Sequence, residues 1–325
     1  MTRVSQRLAR QLPNWARRSN PALRYELGEP PKRSAAARYL RGLLVVLGLM
    51  LLGFAGYAIA TGLFAHDAGT NPLEALQNIV YWPSVALQWV LIVAAFSMTV
   101  GKVARESARR NWDNFRATPD GADLSLRARW AAVFYRLRGL LGIVIVIRLV
   151  LLAGLLWDLT AFQGRYLDLL ISGITPEVGL VVAVILLSLL MTAVILLPVT
   201  SVSLNAAFGL LASTTVRNRT YVALVQVVYI VFRLGLAAVL LWAASAFLNN
   251  GLTISDAGAW LLIFAAAALG DWGLALLSLG IAGEIWAVVP YGIFIGAALL
   301  VVALAEAALA DQLVHWAVRR AQRAE

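Results

Sequence analysis

Residues 178–200 read VGLVVAVILLSLLMTAVILLPVT, a stretch with no charged side chain. About 20 consecutive apolar residues are enough for a helix to cross the hydrocarbon core of a bilayer, which is roughly 30 Å thick. The whole chain has the same character, because it is 61% hydrophobic and only 14% charged. A water-soluble domain would be about half apolar and about a quarter charged. The sequence therefore predicts an integral membrane protein.

Six stretches of this kind occur along the 325 residues. They lie at residues 40–64, 79–100, 140–162, 178–200, 221–247 and 288–313. We expect an all-α fold, a polytopic transmembrane helical bundle of six spans. The expected parts are a basic amphipathic arm at residues 1–39, a membrane domain at residues 40–316 with a large loop at residues 101–138, and a basic tail at residues 317–325.

The region between the fifth and the last span can be interpreted in two ways. Residues 260–269 and 274–281 are short apolar pieces separated by Gly270-Asp271. Taken together they would form a seventh span with a buried Asp271, and taken apart they would form a re-entrant helical hairpin. Because Gly-Asp is a turn signal, we expect the hairpin, on the external side and before the last span. Other helices must then pack around it.

The distribution of arginine and lysine sets the expected orientation. Ten of these residues lie in residues 1–41, nine in residues 102–138, two at Arg217 and Arg219, and three in residues 319–323. With six spans all four groups fall on one side of the membrane, which the positive-inside rule assigns to the cytoplasm. Seven spans would place the last group outside. We therefore expect a multi-pass protein of the cell membrane with both termini in the cytoplasm.

Sequence motifs that would indicate an enzyme are missing. The chain contains no G-x-x-x-x-G-K-[ST] nucleotide loop and no H-E-x-x-H zinc motif. The lack of cysteine excludes disulfides, thiolate metal sites and cysteine nucleophiles. We therefore expect neither an enzyme nor a cofactor or metal site. The net charge of +10 is explained by basic residues that flank the spans and contact membrane lipid, so nucleic acid is not an expected partner.

The loop at residues 101–138 is the most informative polar segment. Nothing interrupts the helical pattern of the second span until Pro119, which excludes helix at the residue before it. Beyond this point Leu126, Trp130 and Phe134 share one face of an amphipathic helix. The two helices would form a projection that docks a partner protein, or alternatively a basic helix that lies on anionic lipid.

Three motifs, in chain order, resemble those of the type-2 ATP-binding-cassette (ABC) exporter permeases. The first is NPALRYEL at residues 20–27, similar to the Asn-Pro-x-Leu-x-x-Glu-Leu arm of that family. The second is REsarrnWDnfraTP at residues 105–119, and the third is AFGLLAS at residues 207–213. The number of spans and the external hairpin also resemble that family. Arginine and asparagine at positions 110–111 stand where the family usually has Gly-Thr, so the resemblance is to a divergent member.

The resemblance implies a permease that depends on a separate ABC ATPase subunit. In that family the helix similar to residues 105–119 contacts the ATPase. The contact residues here would be Glu106, Trp112, Asp113 and Thr118. A second copy of the permease, or a related permease, would complete the pore. The exported substrate would be apolar or amphiphilic.

Charged residues inside the spans form the second set of candidates. Arg148, Arg233 and Glu306 lie roughly 12 to 18 Å deep, where a charge is costly unless it is paired or hydrated. We expect Glu306 to pair with Arg148 or Arg233, either as a structural ion pair or as part of a substrate or ion pathway. Asp271 and Glu284, in the hairpin region, would line an exit path or be ordinary solvated turn residues.

Two other functions remain open from the sequence. A non-transporting membrane scaffold, or an accessory subunit of a larger membrane complex, would have the same architecture. A secondary transporter with its own ion coupling would need a buried acid, for which Glu306 is the candidate.

Overall fold

The computed structural model describes residues 12–28, 72–101, 121–160, 164–216 and 218–323. In these ranges the chain forms nine α-helices and no β-strand, which confirms the expected all-α fold. The helices are α1 (Pro21–Leu27), α2 (Pro72–Val100), α3 (Gly121–Thr160), α4 (Arg165–Ser172), α5 (Leu180–Thr215), α6 (Arg219–Leu248), α7 (Asp256–Ala265), α8 (Leu279–Val288) and α9 (Ile295–Arg323).

Five of these helices are long and apolar enough to cross a membrane, namely α2, α3, α5, α6 and α9. Their continuous helical runs of 24 to 40 residues exceed the about 20 residues that a hydrocarbon core requires. This is the architecture of a helical membrane protein. The predicted first span, residues 40–64, lies outside the described residues.

Helix α3 joins two predicted elements into one. The sequence predicts an amphipathic stretch at residues 123–138 and a separate span at residues 140–162, whereas the structure has one uninterrupted helix of 40 residues. Gly139 lies at the junction, and no atom outside the local helix lies within 4 Å of the space a side chain there would take. At 1.5 Å per residue the helix is about 60 Å long. Its first half therefore extends beyond a hydrocarbon core of about 30 Å.

The N-terminal arm packs against this extended half of α3. Helix α1 begins after Asn20, whose side chain accepts a hydrogen bond from the Ala22 N–H and so caps the helix. Glu26 of α1 forms a buried ion pair with Arg129 of α3, with 2.7 Å between Oε1 and Nε. Arg136 of α3 also donates to the Glu26 carbonyl. Helix α1 is thus fixed to the side of another helix.

Helix α5 lies at the centre of the bundle and packs on α2, α3 and α9. Glycine permits two of these contacts, because it has no side chain to separate the backbones. A Cβ atom on Gly209 would lie 2.8 Å from the Phe96 carbonyl oxygen of α2, and one on Gly296 would lie 2.5 Å from the Leu190 Cβ of α5. We call the end of the bundle that carries α1 the arm end. The end at which α3 and α6 finish is the loop end.

The segment between α6 and α9 is not one continuous helix. Helix α7 continues into a π-helical turn at Ala266–Gly270, and the backbone then leaves the helical path at Asp271. Trp272 and Gly273 both have positive φ, a conformation that interrupts an α-helix. The chain resumes its helical course at Leu279. We call residues 256–288 the broken segment.

The two ends of the broken segment meet at the loop end. Trp260, near the start of α7, donates from Nε1 to the Tyr291 carbonyl, just beyond α8, at 3.0 Å. Helix α7 and helix α8 have ten residues each, which is too short to cross a bilayer. Neither helix alone could therefore form a membrane span.

Helix α4 occupies a connection that the sequence predicts to be a loop, residues 163–177. It spans Arg165–Ser172, and the chain after it contacts the broken segment. The Thr175 N–H donates to the Trp286 carbonyl at 3.0 Å, and the Thr175 carbonyl accepts from the Tyr291 N–H at 2.8 Å. The connection between α3 and α5 thereby holds the returning end of the broken segment in place.

Candidate functional site

A helix that breaks inside a bundle leaves backbone carbonyls without their usual N–H partners. In a bilayer these carbonyls have no water to accept from, so other protein groups must donate to them. The broken segment has such carbonyls at Leu269 and Trp272, and the Asp271 carbonyl accepts from one backbone N–H, that of Leu274, at 3.3 Å. In the structure all three accept from arginine side chains.

Arg148 of α3 is fully buried and binds the break directly. Its Nη1 donates to the Trp272 carbonyl at 2.8 Å, and its Nη2 donates to the Asp271 carbonyl at 2.9 Å. The same Nη1 donates to the Val194 carbonyl of α5. One guanidinium group therefore connects α3, α5 and the broken segment, about 18 Å along α3 from its loop-end terminus.

The Val194 carbonyl is free to bind Arg148 because of Pro198. In a regular α-helix the carbonyl of residue 194 would accept from the N–H of residue 198. Proline has no N–H, and Pro198 lies inside α5. Arg148 supplies the donor that the proline lacks.

The Asp271 side chain closes the turn of the broken segment. Its Oδ1 accepts from the Gly273 N–H at 2.9 Å, and its Oδ2 accepts from the Ala275 N–H at 2.8 Å. Oδ2 also accepts from the Tyr81 hydroxyl of α2 at 3.2 Å. Asp271 is buried, and the Arg148 charge lies at the same turn. Of the two interpretations of Asp271 that the sequence leaves open, an ordinary solvated turn residue does not fit this burial.

Arg233 of α6 binds the break two residues earlier, where its Nη1 donates to the Leu269 carbonyl at 2.8 Å. Glu306 of α9 is buried as well. Its Oε2 accepts from the Thr200 hydroxyl and from the Ser201 hydroxyl of α5, both at 2.8 Å. The charges of Arg233 and Glu306 act on each other through space. Formally, the two arginines are balanced by Asp271 and Glu306.

The structure brings the predicted charged residues into one region but gives them other direct partners. Within the part of the chain that the structure describes, no ion pair of 4.0 Å or less joins Glu306 to Arg148 or Arg233. The arginines donate to carbonyls because the break and Pro198 remove backbone N–H donors from this part of the bundle. Glu306 accepts from hydroxyl groups instead.

Two cavities lie beside α8 at the loop end. The larger, about 790 Å³, is lined by α2, α6 and the broken segment, and the smaller, about 480 Å³, by α2, α3, α4 and the broken segment. Gln77 and Glu284 line both cavities, and Asp271 lines the larger. Glu284 is exposed. It is therefore the candidate acid that a molecule in either cavity would meet.

No family model, curated protein or solved structure matches this chain. The candidate site is therefore defined by its own geometry, which consists of a clamped helix break and the two cavities beside it.

The second predicted site lies outside the described residues, because the loop between α2 and α3 is described only at residue 101. Its members are Glu106, Trp112, Asp113 and Thr118. The neighbouring helix α3 begins at Gly121 and is described in full.

Several polar residues of the site were not singled out by the sequence analysis. One signal was present on α2, where Gln77, Tyr81, Ser84 and Gln88 recur at spacings of four, three and four residues. This spacing places them on one helix face, and Gln77, Ser84 and Gln88 are buried. The other missed residues, Thr200 and Ser201, carry small hydroxyl groups that are common in apolar helices and give little signal.

Proposed function

We propose that this chain is the transmembrane permease subunit of an ABC exporter, which moves a substrate across the cell membrane using ATP hydrolysed by a separate subunit. The resemblance of residues 20–27, 105–119 and 207–213 to that family supports the proposal. The observation that carries it furthest is the broken segment, clamped by two arginines and flanked by cavities. Non-helical backbone is tolerated at membrane depth where it is buried in protein or lines a cavity, and transporters use such breaks to build substrate sites.

The proposal includes a six-span topology in which residues 40–64 form the first span. The broken segment is then a re-entrant hairpin on the external side, and both termini are cytoplasmic. The meeting of its two ends at the loop end supports this arrangement, as does the concentration of basic residues at the arm end. The loop end is the external face in this proposal.

Helix α3 connects the two functional regions of the proposed permease. Its first residue follows the loop that carries Glu106, Trp112, Asp113 and Thr118, the proposed contact with the ATPase. Its middle carries Arg148, which holds the break. A second copy of this chain, or a related permease, completes the pathway. Nucleotide-driven movement of the loop would reach the external cavities along one helix.

Co-purification in mild detergent tests the proposal. The full-length chain should bring an ABC ATPase with it, and Trp112→Ala should release that ATPase, because a buried tryptophan is a typical anchor of a protein interface. The matched control is Trp157→Ala, near the loop end of α3, where the side chain is 72% exposed. Retention of the ATPase by Trp112→Ala, or loss of it from Trp157→Ala, would contradict the proposed contact.

The alternative is a non-transporting scaffold or accessory subunit of a larger membrane complex. One observation favours it, namely that the hydrogen bonds of Arg148, Arg233 and Asp271 account for their burial without any transport role. The two functions differ in ATP turnover. A permease reconstituted with its ATPase should support substrate-dependent ATP hydrolysis, whereas a scaffold should leave hydrolysis unchanged when candidate substrates are added.

A further inference from the structure

The two loop-end cavities share an electrostatic property. Their linings contain acidic side chains, and among the described residues they contain no lysine, arginine or histidine. The acids are Asp158 in the smaller cavity, Asp271 in the larger, and Glu284 in both. Because the Arg148 charge lies at the Asp271 turn, the negative charge that a ligand of the larger cavity would meet is that of Glu284.

Glu284 is the acid that remains for a ligand of the larger cavity. Asp271 is occupied by the Gly273 and Ala275 N–H groups and by the Tyr81 hydroxyl. Glu284 has neither a hydrogen bond nor an ion pair with any other residue that the structure describes. Its carboxylate is exposed and lines the cavity, so a cation is the complement that this position lacks.

The walls of the larger cavity suit an organic cation with a large apolar body. Tyr81 and Trp82 form an edge-to-face aromatic pair with ring centroids 5.3 Å apart, and Trp82 is 46% exposed. An exposed tryptophan offers a large apolar surface on which a ring system can pack. Ala244 and Ala266 also line the cavity, and their small side chains leave room in it. The volume lies within the roughly 300 to 1,000 Å³ of drug-sized binding sites.

An inorganic cation fits this lining poorly. Calcium and magnesium take six or more oxygen ligands, several of them carboxylates. In the ranges that the structure describes, no group of three acidic, histidine or cysteine side chains converges on one point. Most of the remaining lining is apolar. The cavity therefore favours a ligand that carries one positive charge on a hydrophobic frame.

We propose that the larger loop-end cavity binds a hydrophobic organic cation, with its charge beside Glu284 and its apolar body against Trp82, Ala244 and Ala266. As a statement about the exported substrate, this inference rests on the proposed function. As a statement about binding, it stands on the cavity alone.

Two ions of the same shape and opposite charge provide the test. Tetraphenylphosphonium is a hydrophobic cation, and tetraphenylborate is its anionic counterpart. Equilibrium dialysis of each ion against the full-length chain in lipid nanodiscs, with empty nanodiscs as the blank, measures binding. We expect saturable binding of the cation that is at least about tenfold tighter than binding of the anion. Equal binding of the two ions, or no saturable binding of the cation, would overturn the proposal without any variant.

Variants then locate the site. Glu284→Gln should weaken cation binding about tenfold and leave anion binding unchanged, because it removes the charge and keeps the size of the side chain. Trp82→Leu should weaken binding of both ions through the loss of aromatic surface. Glu177→Gln is the matched control, since Glu177 is exposed at the loop end and lines neither cavity. Cation affinity that survives Glu284→Gln, or falls equally in Glu177→Gln, would exclude the assigned site.

Failure of this inference can be told apart from failure of the proposed function. If the cation binds at Glu284 but no ATPase co-purifies, the permease proposal is wrong and the binding site remains. If an ATPase co-purifies and its activity responds to substrates but the cation does not bind, the inference alone is wrong.

Discussion

Arg148, which is fully buried, and Arg233, which is half-buried, show that a guanidinium inside a helical bundle can be retained for the backbone rather than for an acid. Arginine carries five N–H donors and no acceptor, which suits a place where carbonyls outnumber N–H groups. That excess arises twice in this bundle, once from Pro198 in α5 and once from the turn at Asp271. Arg148 donates to carbonyls from both sources.

Removal of Arg148 should destabilise the protein strongly. Arg148→Leu leaves the Val194 and Trp272 carbonyls without donors and leaves the Asp271 carbonyl with the Leu274 N–H alone. Hydrogen bonds from charged groups contribute about 1.5 to 3 kcal/mol each. We therefore expect a loss of about 3 kcal/mol or more in the free energy of unfolding, measured by denaturant titration in detergent micelles. Arg138→Leu is the control, because Arg138 is exposed on the same helix and should change stability by less than about 0.5 kcal/mol.

A second substitution tests the connection between Arg148 and Pro198. Pro198→Ala restores an N–H that can donate to the Val194 carbonyl, so it should recover part of the loss caused by Arg148→Leu. We expect a coupling of about 0.5 to 3 kcal/mol in a double-mutant cycle. Strict additivity of the two changes would show that the arginine does not replace the missing N–H.

Glu306 should depend on its hydroxyl partners and not on Arg148. Glu306→Gln keeps a side-chain oxygen that can accept from the Thr200 and Ser201 hydroxyls. Glu306→Leu removes that acceptor and should lower the free energy of unfolding by about 1 to 3 kcal/mol. The exchange of Glu306→Arg with Arg148→Glu should fail to restore the expression level that the single changes reduce. Recovery in the exchanged protein, compared by fluorescence size-exclusion chromatography, would mean that the two residues pair directly.

At this scale the sequence predicted where the charges lie but not what they bind. The depth of Arg148, Arg233 and Glu306 follows from their positions in apolar runs, since each residue of a helix adds about 1.5 Å. Their partners are mostly backbone carbonyls and hydroxyl groups. The position at which the chain breaks decides which carbonyls are free, and the sequence pattern marks that break only as a Gly-Asp turn signal.

At the scale of helices, packing around α5 depends on glycine at defined crossings. Gly209→Ala should destabilise the protein by about 1 to 3 kcal/mol, because the new Cβ would lie 2.8 Å from the Phe96 carbonyl oxygen, a backbone atom that cannot rotate away. Gly235→Ala in α6 is the control, since nothing lies within 4 Å of its added Cβ. Helix propensity alone should make that change neutral or stabilising by up to about 1 kcal/mol. Equal melting temperatures for the two variants would contradict the close crossing.

The long helices were the most predictable elements. The predicted span at residues 221–247 agrees closely with α6 (Arg219–Leu248), because a long apolar run with a single charged residue has few alternatives to a helix in lipid. Helix α4 was missed, since eight residues give too short a pattern to recognise. The continuity of α3 was missed for a different reason. A change from amphipathic to fully apolar composition marks the membrane surface and does not end a helix.

For the whole molecule, the sidedness of the bundle is the property that the charge distribution predicts. The chain contains no cysteine, so single cysteines can be placed without removing any. Arg165→Cys at the loop end should react with a membrane-impermeant maleimide in intact cells, and Arg320→Cys at the arm end should react only after permeabilisation. Both positions are exposed. Reaction of both in intact cells would contradict the six-span topology.

Helix α3 also determines how movement would pass through the molecule. Its 40 residues run without interruption from Gly121 to Thr160, and Arg148 holds carbonyls of two other elements at once. If α3 moved along its axis by one helical turn, about 5.4 Å, all of these hydrogen bonds would break together, because a single guanidinium group makes them. Movements of α3 too small to break these bonds would therefore carry α5 and the broken segment with it.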